Sequence, residues 1–147
     1  MKLESPAFAE GTTIPMQYTC DGGGIPPLVF SKIPHGAKTL ALVIDDLTAP
    51  AEVRDHFVVW NIPAAVAGVI EGRTLDAVVG RNSWKQNAWG AGPCARDRER
   101  CYAFRLYALD TELELTREAT RADLERAMDD HVLAEIALTG YCDRASC

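Results

Sequence analysis

No run of about 18 apolar residues, the length an α-helix needs to cross a bilayer, occurs anywhere in this chain of 147 residues. The opening stretch MKLESPAFAEG holds one Lys and then Glu4, with no apolar segment that could serve as the core of a signal peptide. A cytoplasmic location is therefore expected, without stable membrane association. Positive charge is scarce too, with 15 Lys and Arg against 21 Asp and Glu and a formal net charge of -6. That balance argues against a general binder of nucleic acid or anionic membranes. An anionic ligand would have to be held by local cationic groups.

Several enzyme signatures are missing as well. The chain has no GxSxG, no GxxxxGK[ST], no GxGxxG after a strand, no HExxH and no CxxC. Its 5 cysteines (Cys20, Cys94, Cys101, Cys142 and Cys147) are an odd number. In a reducing compartment they are expected as thiols, each filling space as a small apolar side chain. A zinc site of four thiolates from Cys94, Cys101, Cys142 and Cys147 is conceivable, but neither spacing is that of a usual zinc knuckle, and no metal is expected; no cofactor is expected either.

What is present is the make-up of a globular protein, 48% hydrophobic and 24% charged. A chain of this size buries about two thirds of the surface its unfolded form exposes and needs no staples. Repeats, linkers and low-complexity stretches are absent, so residues 1–147 read as one domain. Residues 1–112 read as strands between turns. The sharpest runs are TLALVID (39–45), HFVVWNI (56–62) and CYAFRLYAL (101–109), rich in Val, Ile, Phe and Trp and bounded by Gly, Pro, Asp and Asn. The first two are nearly unbroken apolar runs, as central strands covered on both faces are, whereas Arg105 makes the third more one-sided. Together they predict a sheet sandwich.

The pattern changes only near the C-terminus. In TREATRADLERAMDDHVLAEIAL the apolar residues Leu124, Ala127, Met128, Val132, Leu133 and Ile136 recur at helical spacing. Thr120 with Asp123 resembles an N-cap arrangement. Asp129 and Asp130 interrupt the run, and a second short helix is expected over 131–136.

Two of the strand runs carry ionisable groups at one end. Asp45 and Asp46 are adjacent, so on a strand they point to opposite faces and only one can look into a given cleft. Asp46, which starts the turn before Pro50, is the better candidate, while Asp45 could satisfy backbone donors. His56 opens the next run after a connection of about ten residues, which returns the chain antiparallel and sets the imidazole near the end of the first strand. A carboxylate beside a His holds one tautomer and favours imidazolium, which suits general-base chemistry or phosphate binding. An Asp that merely closes a turn and a His with a structural role are the commoner fates of such residues, and spacing alone leaves both open. In GAGPCARDRERCYAF, Gly90, Gly92 and Pro93 let the backbone approach a ligand closely, and Arg96, Arg98 and Arg100 supply positive charge. A solvated basic turn is the alternative there.

The segments SPAF, IPMQYTCDGGGIPPLVF, ALVIDDLTAP, HFVVWNIPA, VVGRNSWKQNAWGAGPC, YAFRLYALD and LERAMDDHVLAEIALTGY, in this order, resemble the phosphatidylethanolamine-binding protein family. Within it they are most similar to the bacterial and archaeal branch of Raf kinase inhibitor-like proteins. The resemblance implies a mainly β fold, a Greek-key β-sandwich with short C-terminal and peripheral helices. It also implies a small cavity at one end that binds anions such as phosphate head groups. Carried over, the cavity takes Asp46 and Pro50 from an Asp-Pro-Asp-x-Pro stretch and His56 from the next strand. Gly92, Pro93 and Cys94 come from a Gly-Pro-rich loop, and Tyr102 from a His-Arg-Tyr.

This chain departs from the family pattern at several places. Asp-Pro-Asp reads Asp46-Leu47-Thr48, so the second carboxylate is lost. The loop has Cys94-Ala95-Arg96 where the branch usually has Cys-Pro-Pro. Arg100 stands for the family's second His and Cys101 for its Arg, while Arg54 stands about where an aromatic residue often lines the cavity. An inward Arg100 would give an always-charged group able to hold a phosphate through two parallel hydrogen bonds, with Asp46 as its obvious partner; an outward one would weaken the pocket.

The expectation is a non-enzymatic binding protein with a pocket for a small phosphate-bearing or other anionic ligand. By resemblance it regulates or inhibits a kinase or another protein partner and pairs as a homodimer. Two other functions stay open. One is a small hydrolase using His56 with Asp46, or Cys94 as nucleophile. The other is a structural dimer with a vestigial pocket.

Overall fold

The computed structural model describes residues 1–15, 18, 25–48, 55–65, 77–88 and 100–142, with Arg100 and Cys142 described by their backbone only. Along the described residues run β1 (Lys2–Glu4), β2 (Thr12–Thr13), β3 (Val29–Ser31), β4 (Thr39–Asp46), β5 (Asp55–Pro63), β6 (Val78–Val79), β7 (Arg100–Leu109), α1 (Arg121–Met128) and β8 (Val132–Cys142). The three sharp apolar runs became β4, β5 and β7. Every residue of β4 is buried, and its apolar run from Leu40 to Ile44 is what a strand covered on both faces requires.

Six strands form one sheet in the order β2-β8-β7-β4-β5-β6, and β1 pairs with β3 in a second, smaller sheet. The successive strands β4, β5 and β6 are antiparallel neighbours, and β7 returns along the far side of β4. The spatial order β7-β4-β5-β6 is thus a Greek key, and β8 extends it antiparallel to β7. One face of the large sheet gathers Leu40, Leu42, Ile44, Phe57, Val59, Phe104 and Leu106 with Leu3, Phe8, Leu28 and Phe30 from the small sheet and its flanks. The other face gathers Val43, Val58 and Trp60 with Leu113, Ala119, Leu124 and Met128, the last two on α1. Each such large side chain contributes about 1.5–3 kcal/mol on burial, so both coverings are strongly held.

β5 keeps its faces straight by two irregularities against β4. Leu40 pairs with Ile62 but Leu42 with Val59, and Ile44 pairs with Phe57 but Asp45 with Asp55. One extra residue of β5 is taken up at each place, which is what a β-bulge does. At the first, Asn61 takes φ +58°, a left-handed conformation that Asn tolerates better than most residues. Its side chain accepts the Leu113 N–H at 2.8 Å and donates to the Leu113 carbonyl at 2.9 Å, tying the chain after β7 to the sheet. At the second, the extra residue is His56.

α1 begins where Thr120 and Asp123 place it, with the Asp123 carboxylate accepting the Thr120 N–H at 3.0 Å. Its buried residues are Leu124 and Met128. It ends at Met128, and Asp130 takes φ +65°, so the two aspartates do interrupt the helical run. The expected second helix over 131–136 is corrected: that segment opens β8. Its spacing of Val132, Leu133 and Ile136 fits either period, but Ala134, Ile136, Leu138 and Gly140 turn inward in alternation. Pairing with β7 from Leu109–Val132 to Arg100–Cys142 satisfies the backbone groups, which a lone helix of about six residues could not do.

Candidate functional site

Asp46 ends β4, directly opposite Tyr102 on β7. It is buried, at 3% exposure, and a buried carboxylate is costly unless hydrogen-bonded. Asp46 Oδ1 accepts the Thr48 N–H at 2.9 Å and also the Thr48 hydroxyl. This is the side-chain turn by which Asp commonly ends a strand. Leu47 then donates to the Cys101 carbonyl at 2.7 Å, holding the turn against β7. Thr48 thereby stands where the family resemblance puts a second carboxylate, with its hydroxyl hydrogen given to Asp46.

His56 reaches the same face through the bulge. Phe57 and Val59 face the small sheet, so regular alternation would send His56 towards α1. With His56 as the extra residue, its ring instead lies edge-on to Tyr102, centroids 5.2 Å apart and planes at 85°. Buried at 6% exposure, it also meets Trp84 edge-on at 4.9 Å and 68°. Such tilted contacts suit the ring quadrupoles. Asp46, His56 and Tyr102 are thus brought to one end of the central strands.

Trp84 is held by residues to which sequence reasoning assigned no role. Asn82 is buried; its Oδ1 accepts the N–H groups of Trp84 at 2.9 Å and Gln86 at 3.0 Å, and its Nδ2 donates to the Ala88 carbonyl at 3.1 Å. Ser83 Oγ accepts the Asp55 N–H at 2.8 Å, and the Ser83 N–H donates to the Asp55 carbonyl at 2.8 Å. The turn is therefore fastened to the chain neighbour of His56. An Asn-Ser pair beside a Trp was the available signal, but its partner lies far back in sequence.

On the opposite face, Asp45 accepts from two guanidinium groups, Arg121 Nη1 at 2.8 Å and Arg105 Nε at 3.3 Å. Arg121 Nη1 also donates to Asp55 Oδ1 at 3.0 Å, and its Nε donates to Glu125 at 2.9 Å. Burial disfavours the Arg121 charge, but its hydrogen bonds to Asp45 and Asp55 outweigh that and hold it above the usual arginine range. The two aspartates do point to opposite faces, as strand geometry requires. Asp45, however, serves arginines rather than backbone donors. Burial likewise raises the nearby Tyr107 hydroxyl, against the lowering influence of Arg105 and Arg121.

Of the other residues assigned to the site, Pro50, Gly92, Pro93 and Cys94 lie outside the described residues, as do Arg54, Arg96 and Arg98, and so does the side chain of Arg100. The backbone of Arg100 opens β7 opposite Cys142, next to the residues that carry Tyr102. Among the described residues no group of three or more His, Cys, Asp or Glu is placed to hold a metal, and no helix is long and apolar enough to cross a membrane.

A Greek-key sheet covered on both faces, with buried polar and aromatic groups gathered at one end of its central strands, defines a sheet-rich β-sandwich protein. Residues 4–143 match the family described as Phosphatidylethanolamine-binding protein. A UPF0098 protein of Methanothermobacter thermautotrophicus is 42% identical over 150 residues, covering 98% of this chain and 99% of the relative. A UPF0098 protein of Chlamydia pneumoniae is 38% identical over 151 residues, covering 99% and 100%. The crystal structure of a phosphatidylethanolamine-binding protein homologue from Chlamydia trachomatis superposes with a TM-score of 0.88 at 37% identity, covering 95% of this chain and 94% of the other. YbcL of E. coli, at 24% identity, shares the fold with a TM-score of 0.84, covering 95% and 96%. The chain belongs to the phosphatidylethanolamine-binding protein family and groups with its bacterial and archaeal members.

Proposed function

We propose that the chain is a non-enzymatic binding protein whose site, at the end of β4, β5 and β7, takes the phosphate group of a small anion. The observation that carries this reading is the bulge at His56, which turns the imidazole onto the face of Tyr102, the cross-strand partner of Asp46. Imidazolium and phenol are donors of the kind phosphate oxygens accept. Thr48 in place of a second carboxylate leaves one negative charge fewer beside the anion. The family description names a phosphate-bearing head group, the same ligand chemistry.

In this reading the protein works in the cytoplasm as a homodimer and meets its phosphate either on a free small molecule or on a protein partner such as a kinase. Family membership supports partner and pairing. Isothermal titration with inorganic phosphate, phosphoethanolamine and phosphoserine tests the site and separates the sources. The wild type is expected to bind at least one of them, with affinity lowered about tenfold or more in His56→Ala, the usual size of losing a charge-assisted hydrogen bond. Arg100→Ala tests whether that side chain adds a second cation to the site. No binding of any of the three by the wild type overturns the reading.

A further inference from the structure

Arg121 lies on the face of the large sheet opposite His56, yet it touches the chain neighbours of two site residues. A single nitrogen, Nη1, donates to Asp45 at 2.8 Å and to Asp55 at 3.0 Å. Asp45 precedes Asp46, and Asp55 precedes His56. Asp45 and Asp55 are also cross-strand partners, and two carboxylates directly opposite each other on a strand pair repel. Asp45 is 1% exposed, so water screens it little, and a buried charge stripped of its partner is strongly destabilising. Arg105 also donates to Asp45, at 3.3 Å, but Arg121 is the guanidinium that lies between the two carboxylates and lets the pairing stand.

That pairing decides which way His56 points. Side chains alternate along a strand, so a slip of one residue exchanges faces. With Asp55 drawn to the α1 face by Arg121, the extra residue must be His56, and its ring goes to the Tyr102 face. Without that pull, regular pairing continued from Phe57 would place His56 on the α1 face and Asp55 in the site. We infer that Arg121 is a positioning residue, which fixes the β5 bulge from the far side of the sheet and so aims His56 into the phosphate site. The link to ligand binding rests on the function proposed above; the link to His56 orientation does not.

The test uses the full chain and two readouts. The first needs no ligand: the His56 Hε1 resonance, whose position is set by the Trp84 and Tyr102 rings beside it. The second is affinity for inorganic phosphate by titration. In Arg121→Met the His56 resonance is expected to move by several tenths of a ppm, and phosphate affinity to fall about tenfold. Asp55→Ala removes the same link with less disturbance to Asp45 and is expected to act alike, which keeps the inference testable should Arg121→Met fail to fold. Arg126→Met removes a guanidinium whose partner is Asp123 on the same helix, and Asn61→Ala destabilises the other end of β5; both should leave His56 unmoved. A His56 resonance unchanged in the folded Arg121 and Asp55 variants overturns the inference, as does a shift of equal size in Asn61→Ala. A moved resonance with undiminished phosphate affinity overturns the link to binding. If the wild type binds no phosphate, the functional reading fails and the resonance alone judges Arg121.

Discussion

Trp84 meets His56 edge-on with ring centroids 4.9 Å apart, and it does so from a turn that Asn82 and Ser83 bind to the start of β5. The indole therefore walls one side of the imidazole. Trp84→Leu keeps an apolar side chain but removes the ring. An aromatic pair of this kind contributes about 0.5–1.5 kcal/mol to the fold beyond its buried area, so the unfolding free energy should fall by about that much, and phosphate affinity should fall as well because the imidazole loses the ring that orients it. Titration calorimetry beside thermal unfolding checks this. A large loss of stability with no loss of affinity would show that Trp84 serves the fold alone.

Thr48 donates to Asp46 through both its N–H and its hydroxyl. Thr48→Val keeps the shape and the N–H, leaving a buried carboxylate with one donor fewer. Chemical denaturation should register a loss of about 1–2 kcal/mol. Thr48→Asp restores the second carboxylate of the family pattern and sets a negative charge beside the proposed anion. Phosphate affinity should drop roughly tenfold at low salt and less at high salt, because Thr48 is exposed and the added charge is screened.

Gly80 lies against the Trp60 ring. A Cβ built there would come within 2.3 Å of Trp60 Cζ3 and 2.7 Å of the Ala119 carbonyl oxygen. Trp60 is fully buried, so neither ring nor backbone has room to give. Gly80→Ala is expected to cost about 2–3 kcal/mol, the range for overpacking a tight core. Gly36 takes φ +95° with nothing within 4 Å of the added atom, and Gly36→Ala should cost about 1 kcal/mol from backbone strain alone. Urea unfolding of the pair gives the order, and a smaller loss at Gly80 than at Gly36 would contradict this packing.

The start of α1 should loosen in acid. The Thr120 N–H hydrogen bond holds the Asp123 carboxyl below its ordinary range. Because the folded group binds its proton more weakly than the unfolded one, its contribution is present above the unfolded carboxylate value of about 3.9 and lost as pH falls through the lower folded value. Amide exchange at Thr120 should therefore accelerate, relative to its intrinsic rate, as pH falls below about 4. Asp123→Asn keeps an acceptor without the charge and should abolish that pH dependence. An Asn variant with the wild-type profile would assign the effect to another group.

Much of the fold was legible in sequence because it depends on local pattern. TLALVID and HFVVWNI became β4 and β5 since nearly unbroken apolar runs of strand length have few other ways to be buried, and CYAFRLYAL, aromatic-rich and interrupted by Arg105, became β7 beside them. The start of α1 was legible for a like reason, since Thr120 and Asp123 lie within one turn. The segment after Asp130 was misjudged because Val132, Leu133 and Ile136 satisfy both periods, and only a partner strand could choose between them. Asp46, His56 and Tyr102 were singled out by motif and resemblance, and strand geometry already demanded that Asp45 and Asp46 part company.

What the sequence by itself determined is the set of strands, the separation of the two aspartates and the family to which the chain belongs, all of which follow from near neighbours or from ordered motifs. What only the tertiary structure decided is where His56 points, what Asp45 binds and what stands beside the imidazole. Those depend on register between β4 and β5, on Arg121 arriving from a helix distant in sequence, and on Trp84 arriving from a turn held by Asn82. A bulge has no composition of its own. It exists only where two strands meet out of step, and here the charges on one face and the rings on the other are satisfied together by the same missed pairing.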